Sequence, residues 1–165
     1  MLISKELAAA INEQITHEMI ASQQYAQIAT YFDGLALTKL AKMFYKQSDE
    51  ERQHAFKFLH YLSETGAEIA LEAIAAPKHS FASVEEAVKL SVDWEWEVTR
   101  RINALMDIAV EQKDYLGQDF LRWFVTEQLE EITTMENLLK IVQQAGERNL
   151  RSEERRVGKE CRSRW

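Results

Sequence analysis

Residues 37–65 read LTKLAKMFYKQSDEERQHAFKFLHYLSET. Apolar side chains recur along the run at alternating steps of four and three, through Leu40, Phe44, Phe58 and Tyr61, and the same row passes through Gln47, Glu51 and His54 at its middle. That period belongs to an α-helix with one buried stripe. A core row interrupted halfway by a carboxylate and an imidazole one turn apart is the anomaly that the rest of the chain has to explain.

Working outward, punctuation falls at Asp33-Gly34, Gly66, Ala75-Ala76-Pro77-Lys78, Lys113-Asp114 and Gly146. It leaves four segments, residues 4–32, 37–65, 83–112 and 115–145, each about 45 Å long as a helix. Ser83 and Glu86 match a capping box where the third segment begins, and Gly66 and Gly146 stand where a helix C′ glycine is expected. A single proline and five glycines exclude a fold of many short strands. Short links after the first and third segments make those pairs antiparallel neighbours. The link over 66–82 is long enough to run the length of a bundle, so the second and third segments are parallel. The expected architecture is all-α: a four-helix bundle over residues 1–147, ordered up-down-down-up with one long crossover between helices two and three.

Twenty basic against 27 acidic residues give a net charge of −7. That excess of anions is wrong for gripping phosphates, so nucleic acid is excluded as a partner. Residues 148–165 read as an atypical basic tail, with the cations gathered in 151–165, and as an appended extension outside the fold. The one cysteine, Cys161, can supply neither an internal disulfide nor a thiolate metal knuckle, so any metal takes oxygen and nitrogen ligands. No apolar run reaches the length of a membrane span and no secretory leader opens the chain, so no membrane role and a cytoplasmic location are expected.

Each of the other segments carries a comparable row. The first is Leu7, Ile11, Ile15, Glu18, Ser22, Tyr25, Ala29 and Phe32; the third is Val84, Val88, Ser91, Glu95, Val98, Ile102, Leu105 and Ala109. The fourth is Phe120, Phe124, Glu127, Glu131, Thr134, Leu138 and Ile141, with Leu121, Val125, Gln128, Ile132 and Leu139 on the adjacent stripe. Every row is apolar towards its ends and polar at its middle. Equal helices in register bring those middles to one level, so Glu18, Glu51, His54, Glu95, Gln128 and Glu131 converge in one cross-section. Buried unpaired carboxylates cost several kcal/mol each and repel one another, so cations must compensate. Two divalent ions balance four carboxylates with His54 neutral, and Glu51-x-x-His54 lets both side chains of one helix face reach the same pair of ions. Hard oxygen ligands with one imidazole favour Fe or Mn.

Blander readings stand beside this one. A lone glutamate on a row can snorkel out, and a lone histidine can be a hydrogen-bonded core residue. His17, His60 and His79 read as ordinary surface or boundary residues. Tyr25 and Trp123 read as core packing before redox partners. Glu50, Glu127 and Glu130 flank the centre and are either a solvated polar face or a third cation site. Asp114 and Asp119 are weaker candidates for a channel between subunits.

Glu18 with Tyr25, Glu50-Glu51-Arg52-Gln53-His54, Glu95, and Glu127-Gln128-Leu129-Glu130-Glu131 together resemble the ferroxidase signature of non-haem bacterial ferritins, members of the ferritin-like di-iron family. The resemblance implies a homo-oligomeric cage of two dozen subunits, storing ferric oxyhydroxide after oxidising Fe(II) with dioxygen or hydrogen peroxide at two irons per subunit. It also implies roles: Glu18, Glu51 and His54 on one iron; Glu95, Glu131 and a bridging Glu51 on the second; Gln128 placing the oxidant. Glu50, Glu127, Glu130 and Glu131 match a further iron site, and Tyr25 and Trp123 match aromatics that donate electrons. Arg52 stands where bacterioferritins carry a haem-ligating methionine, so no haem is expected, and Glu131-Ile132-Thr133-Thr134 lacks a second ExxH. The competing readings are a di-iron or Mn/Fe oxidase acting on an organic substrate and a non-catalytic helical binding bundle.

Overall fold

The computed structural model of the chain describes residues 1–146, 149 and 150. Four helices account for most of them: α1 (Lys5–Gly34), α2 (Thr38–Thr65), α3 (Val84–Glu111) and α4 (Tyr115–Ala145). None is long and apolar enough to cross a membrane.

The ends follow local chemistry. Ser4, Ser83 and Asp114 each accept a hydrogen bond from the backbone N–H three residues on, at 3.0, 3.0 and 2.8 Å, and so cap α1, α3 and α4. Gly66 takes the left-handed conformation that closes α2. The first turn departs from the sequence reading: α1 runs on through Gly34, and the left-handed residue is Ala36, with φ 58°. Lys113 plays the same part between α3 and α4, with φ 54°.

Contacts at the ends fix the topology. The Leu2 N–H donates to the Thr65 carbonyl at 2.8 Å, and Gln112 donates to Glu6 at 2.6 Å, so the start of α1 meets the ends of α2 and α3. Gln143 donates to Glu85 at 2.8 Å, which sets α4 antiparallel to α3. The order is up-down-down-up, as the link lengths predict. The crossover is clamped to α1 by two side-chain amides. Asn12 donates to the Glu68 carbonyl at 2.9 Å and accepts from the Ala70 N–H at 2.8 Å; Gln24 does the same with Lys78, at 2.9 and 2.8 Å.

The core divides into two apolar clusters. One holds Phe32, Leu40, Phe44, Val88, Met135 and Leu138 near one end; the other holds Leu7, Ile11, Phe58, Ile102, Leu121 and Phe124 near the opposite end. Leu150 packs into the first cluster. Residues 151–165, to which the extension was assigned, lie outside the described residues.

The rows of α2 and α3 are buried as expected, and in α1 only Ser22 is less than fully buried. The row of α4 is shifted. The structure buries Leu121, Phe124, Gln128, Glu131, Met135, Leu138, Ile141 and Val142, whereas Phe120, Glu127 and Thr134 are half-buried and Val125 is exposed. Two rows with the same step pattern share Phe124, Glu131 and Leu138, and only the packing of the other three helices chooses between them. Met135, missed by the sequence reading, is fully buried. Met135→Ala is expected to lower unfolding stability by about 2–5 kcal/mol, the range for a truncated core side chain, as read by guanidinium denaturation of the metal-free protein.

Candidate metal centre

Between the two clusters lies a polar layer built from all four helices: Glu18 on α1, Glu51 and His54 on α2, Glu95 on α3, and Gln128 and Glu131 on α4. Each is at most 5% exposed. The helices meet at mid-length, so these residues share one level although they come from four separate stretches of chain. One ligand atom each from Glu18, Glu51 and His54 lies within 4.8 Å of the others, and the same holds for His54, Glu127 and Glu131. His54 belongs to both groups, with Nδ1 at 3.5 Å from Glu51 Oε2.

Glu95 belongs to neither group. Its carboxylate accepts from the Tyr25 hydroxyl and from Gln128 Nε2, the latter at 3.3 Å. Gln128 Nε2 also lies within hydrogen-bond reach of the Glu95 carbonyl and Thr99 Oγ1, both at 3.2 Å. Two further amides hold carboxylates: Gln14 donates to Glu18 Oε1 and Gln47 to Glu131 Oε2, each at 2.8 Å. Glu51 alone has no amide donor, and its Oε1 is buried without a protein partner. Gln14 and Gln47 were given no role in the sequence reading. Gln14 stands one turn before its partner Glu18, a spacing the sequence shows, whereas Gln47 reaches Glu131 on another helix, which only the packing reveals.

Electrostatics follow from this packing. Burial, reinforced by the Glu51 charge, pushes Glu18 well above the ordinary carboxylate range. Burial and the Glu95 charge do the same to Glu51 and Glu131. Glu95 rises to about 7, burial outweighing the hydrogen bonds from Tyr25 and Gln128 that favour its charge. Burial and the neighbouring Glu95 raise the Tyr25 phenol far above its usual value. Among the described residues no buried lysine or arginine answers these carboxylates.

The flanking candidates separate. Glu50 pairs with Lys46 at 3.1 Å through one oxygen, while the other is buried and without a protein partner. Glu127 is half-buried and Glu130 exposed. Tyr25 is both core and site: fully buried, edge-on to Phe44, and bonded to Glu95. Trp123 is not core packing. It is 39% exposed, stands edge-on to His54 at 5.4 Å between ring centroids, and carries Lys57 Nζ at 4.0 Å above its ring. Asp114 caps α4, and Asp119 lines an open cleft of about 390 Å³ with Lys57, His60, Glu64, Phe120 and Trp123. His60 and His79 are exposed. His17 is half-buried, its basicity lowered by burial and by Arg101, with its ring 6.3 Å from that of Trp94.

Comparison with known proteins agrees with this architecture. The family model of the ferritin-like domain matches residues 8–145. The chain is 41% identical over 138 residues to ferritin BfrB of Mycolicibacterium smegmatis, covering 84% of this chain and 76% of that one. It is 38% identical over 146 residues to the bacterial non-heme ferritin of Staphylococcus aureus, covering 88% of each. Its structure superposes on the open pore ferritin from the archaeon Archaeoglobus fulgidus with a TM-score of 0.90 and 30% identity, over 94% of this chain and 96% of the other. A single-level layer of carboxylates inside four antiparallel-paired helices, matched by family model, sequence relatives and fold alike, makes this chain a member of the ferritin-like family.

Proposed function

We propose that the protein stores iron, oxidising Fe(II) to Fe(III) at the carboxylate layer and depositing ferric oxyhydroxide inside a homo-oligomeric cage of two dozen copies in the cytoplasm. The observation that carries this reading is the burial of Glu18, Glu51, Glu95 and Glu131 at one level with no buried cation among the described residues to balance them. Iron is the substrate here. Glu18, Glu51 and His54 bind one Fe(II), and Glu131 with Glu127 and His54, or with Glu95 and a shifted Glu51, binds the second. Hard carboxylate oxygens favour Fe(III) over Fe(II) and so promote oxidation. Glu51, unrestrained by any amide, is free to bridge, while Gln14, Gln47 and Gln128 hold the other three carboxylates in place. Six protein ligands leave open positions on two ions for the oxidant. Tyr25 stands ready to pass an electron or proton through Glu95. Glu50, Glu127 and Glu130, on the α2–α4 side, form the flanking site that receives a third ion. The position after Glu51, where a haem-ligating methionine would stand, is Arg52, exposed and paired with Asp49 at 3.3 Å, so the proposed centre uses no haem.

A second reading has one observation in its favour: the cleft beside Trp123 has room for a small organic molecule next to the centre. Anaerobic Fe(II) loading followed by air, with absorbance and particle size recorded together, separates the readings. Oxidation with a mineral-filled particle supports storage; oxidation without mineral supports an organic-substrate oxidase; no oxidation leaves a binding bundle.

Glu51→Ala and His54→Ala are each expected to cut the initial rate of Fe(II) oxidation at least about a hundredfold while far-UV circular dichroism stays unchanged; rates equal to those of the unsubstituted protein would refute the site. Protonation gives an independent check. Folded Glu95 holds its proton up to about pH 7 whereas an ordinary carboxyl releases it near 4.5, so between those values the folded state binds more protons than the unfolded one. Stability of the metal-free protein is therefore fullest below pH 4.5 with respect to this group, and declines as pH rises to 7. Melting temperature in chelator should fall over that interval, and the increment on adding Zn(II) should grow across it; a flat profile for both would exclude an uncompensated carboxylate layer.

A further inference from the structure

Seven side-chain polar atoms among the described residues are buried without a protein hydrogen-bond partner. Three of them, Glu18 Oε2, Glu50 Oε2 and Glu51 Oε1, belong to the centre and its flank. Two others, His17 Nδ1 and Trp94 Nε1, sit on the residues immediately before Glu18 and Glu95. Native proteins leave few such atoms, and two on neighbouring rings point to a ligand between them. The rings come from α1 and α3, 6.3 Å apart and tilted by 41°. Trp94 packs against both apolar clusters, so its indole spans the height of the polar layer and closes it on the α1–α3 side. Both residues are half-buried: each reaches solvent while its unpartnered nitrogen lies inside.

An indole Nε1–H can only donate, and a neutral imidazole protonated at Nε2 accepts at Nδ1. One donor and one acceptor at the edge of the layer suit a small molecule able to accept and donate at once. Dioxygen does neither to useful extent and needs only an apolar passage. Hydrogen peroxide does both. The charges around His17 favour neither sign: Arg101 opposes Glu97 and Glu13, and Glu97 is engaged by Arg100 and, at 2.9 Å, by Arg101.

We propose that His17 and Trp94 form a subsite on the α1–α3 face through which hydrogen peroxide, in preference to dioxygen, reaches the centre at Glu18 and Glu51. The inference rests on the ferroxidase reading above and specifies its oxidant. In the step, each of two Fe(II) ions gives up one electron, the O–O bond breaks, and with two protons taken from solvent the peroxide oxygens leave as two water molecules.

The test measures Fe(II) oxidation by stopped flow in the full chain, loaded anaerobically and mixed with either peroxide or air-saturated buffer. The unsubstituted protein should react faster with peroxide. Trp94→Phe and His17→Leu should each lower the ratio of the peroxide rate to the dioxygen rate about tenfold, the loss of one hydrogen bond, and His17→Gln, which keeps an acceptor, should retain most of it. Damage to folding or iron loading lowers both rates together and leaves the ratio alone. The inference is overturned if the ratio is unchanged in both Trp94→Phe and His17→Leu, or if the unsubstituted protein reacts no faster with peroxide than with dioxygen. Absence of oxidation with either reagent removes the ferroxidase reading itself, and the subsite with it.

Discussion

Like charge held in a low-dielectric interior is the constraint on which the rest of this bundle depends. Glu18, Glu51, Glu95 and Glu131 are buried together, and each is held towards its neutral form by burial and by its neighbours. Isolated buried carboxylates cost several kcal/mol apiece, and hydrophobic residues of similar volume would be at least as stable there. The layer is thus a stability defect maintained across the middle of an otherwise well-packed core. Two apolar clusters flank it, and burial of Phe32, Phe44 and Leu138 on one side and of Leu7, Phe58 and Ile102 on the other offsets it. The bundle is stiff at its ends and strained electrostatically at its waist.

The amides convert that strain into geometry. Gln14, Gln47 and Gln128 each fix one oxygen of a different glutamate, whereas Glu51 has only the side chains of Glu18 and His54 against its carboxylate. They are neutral, so they orient negative charge without cancelling it, and the attraction for a cation survives. A lysine or arginine in any of the three positions would neutralise the carboxylate it holds and remove one of the four charges that draw a cation. Glu51, left without such a donor, is the one carboxylate able to change partner as the charge on its surroundings changes.

How legible this was in the sequence differs from helix to helix. In α2 the row is unambiguous because every residue on it is either apolar or part of the anomaly, so Leu40 to Tyr61 could be placed without a structure. In α4 two rows of equal quality overlap, and Met135 against Thr134 is decided only by what α2 and α3 present to it. The turns around residues 33–37 and 112–114 were marked in the sequence, but their left-handed residues, Ala36 and Lys113, were not, because left-handed backbone is signalled by glycine and neither is one. Trp123 misled because its type suggests a core, while the cation above its ring and the histidine edge beside it give an exposed indole its own reasons to stay ordered. His17 and Trp94 carry no sequence signal, since an unpartnered nitrogen is a property of three-dimensional packing.

The two tryptophans also divide the layer's surroundings by chemistry. On the α2–α4 side, Glu127 lies within the charge field of Glu50 and Glu130, with Lys57 also near and held over the Trp123 ring, so carboxylates predominate there. On the α1–α3 side, Trp94 stands beside His17, whose environment mixes Glu13 and Glu97 with Arg101 and favours neither sign. Under the proposed ferroxidase reading, separate approaches for metal ions and for a neutral oxidant are an advantage, because an acidic path that concentrates Fe(II) would also let it meet oxidant before reaching the ligands. The up-down-down-up topology makes that separation available: it puts α1 beside α3 and α2 beside α4 on opposite flanks of one carboxylate layer, so the two flanks can carry different charge without disturbing the core between them.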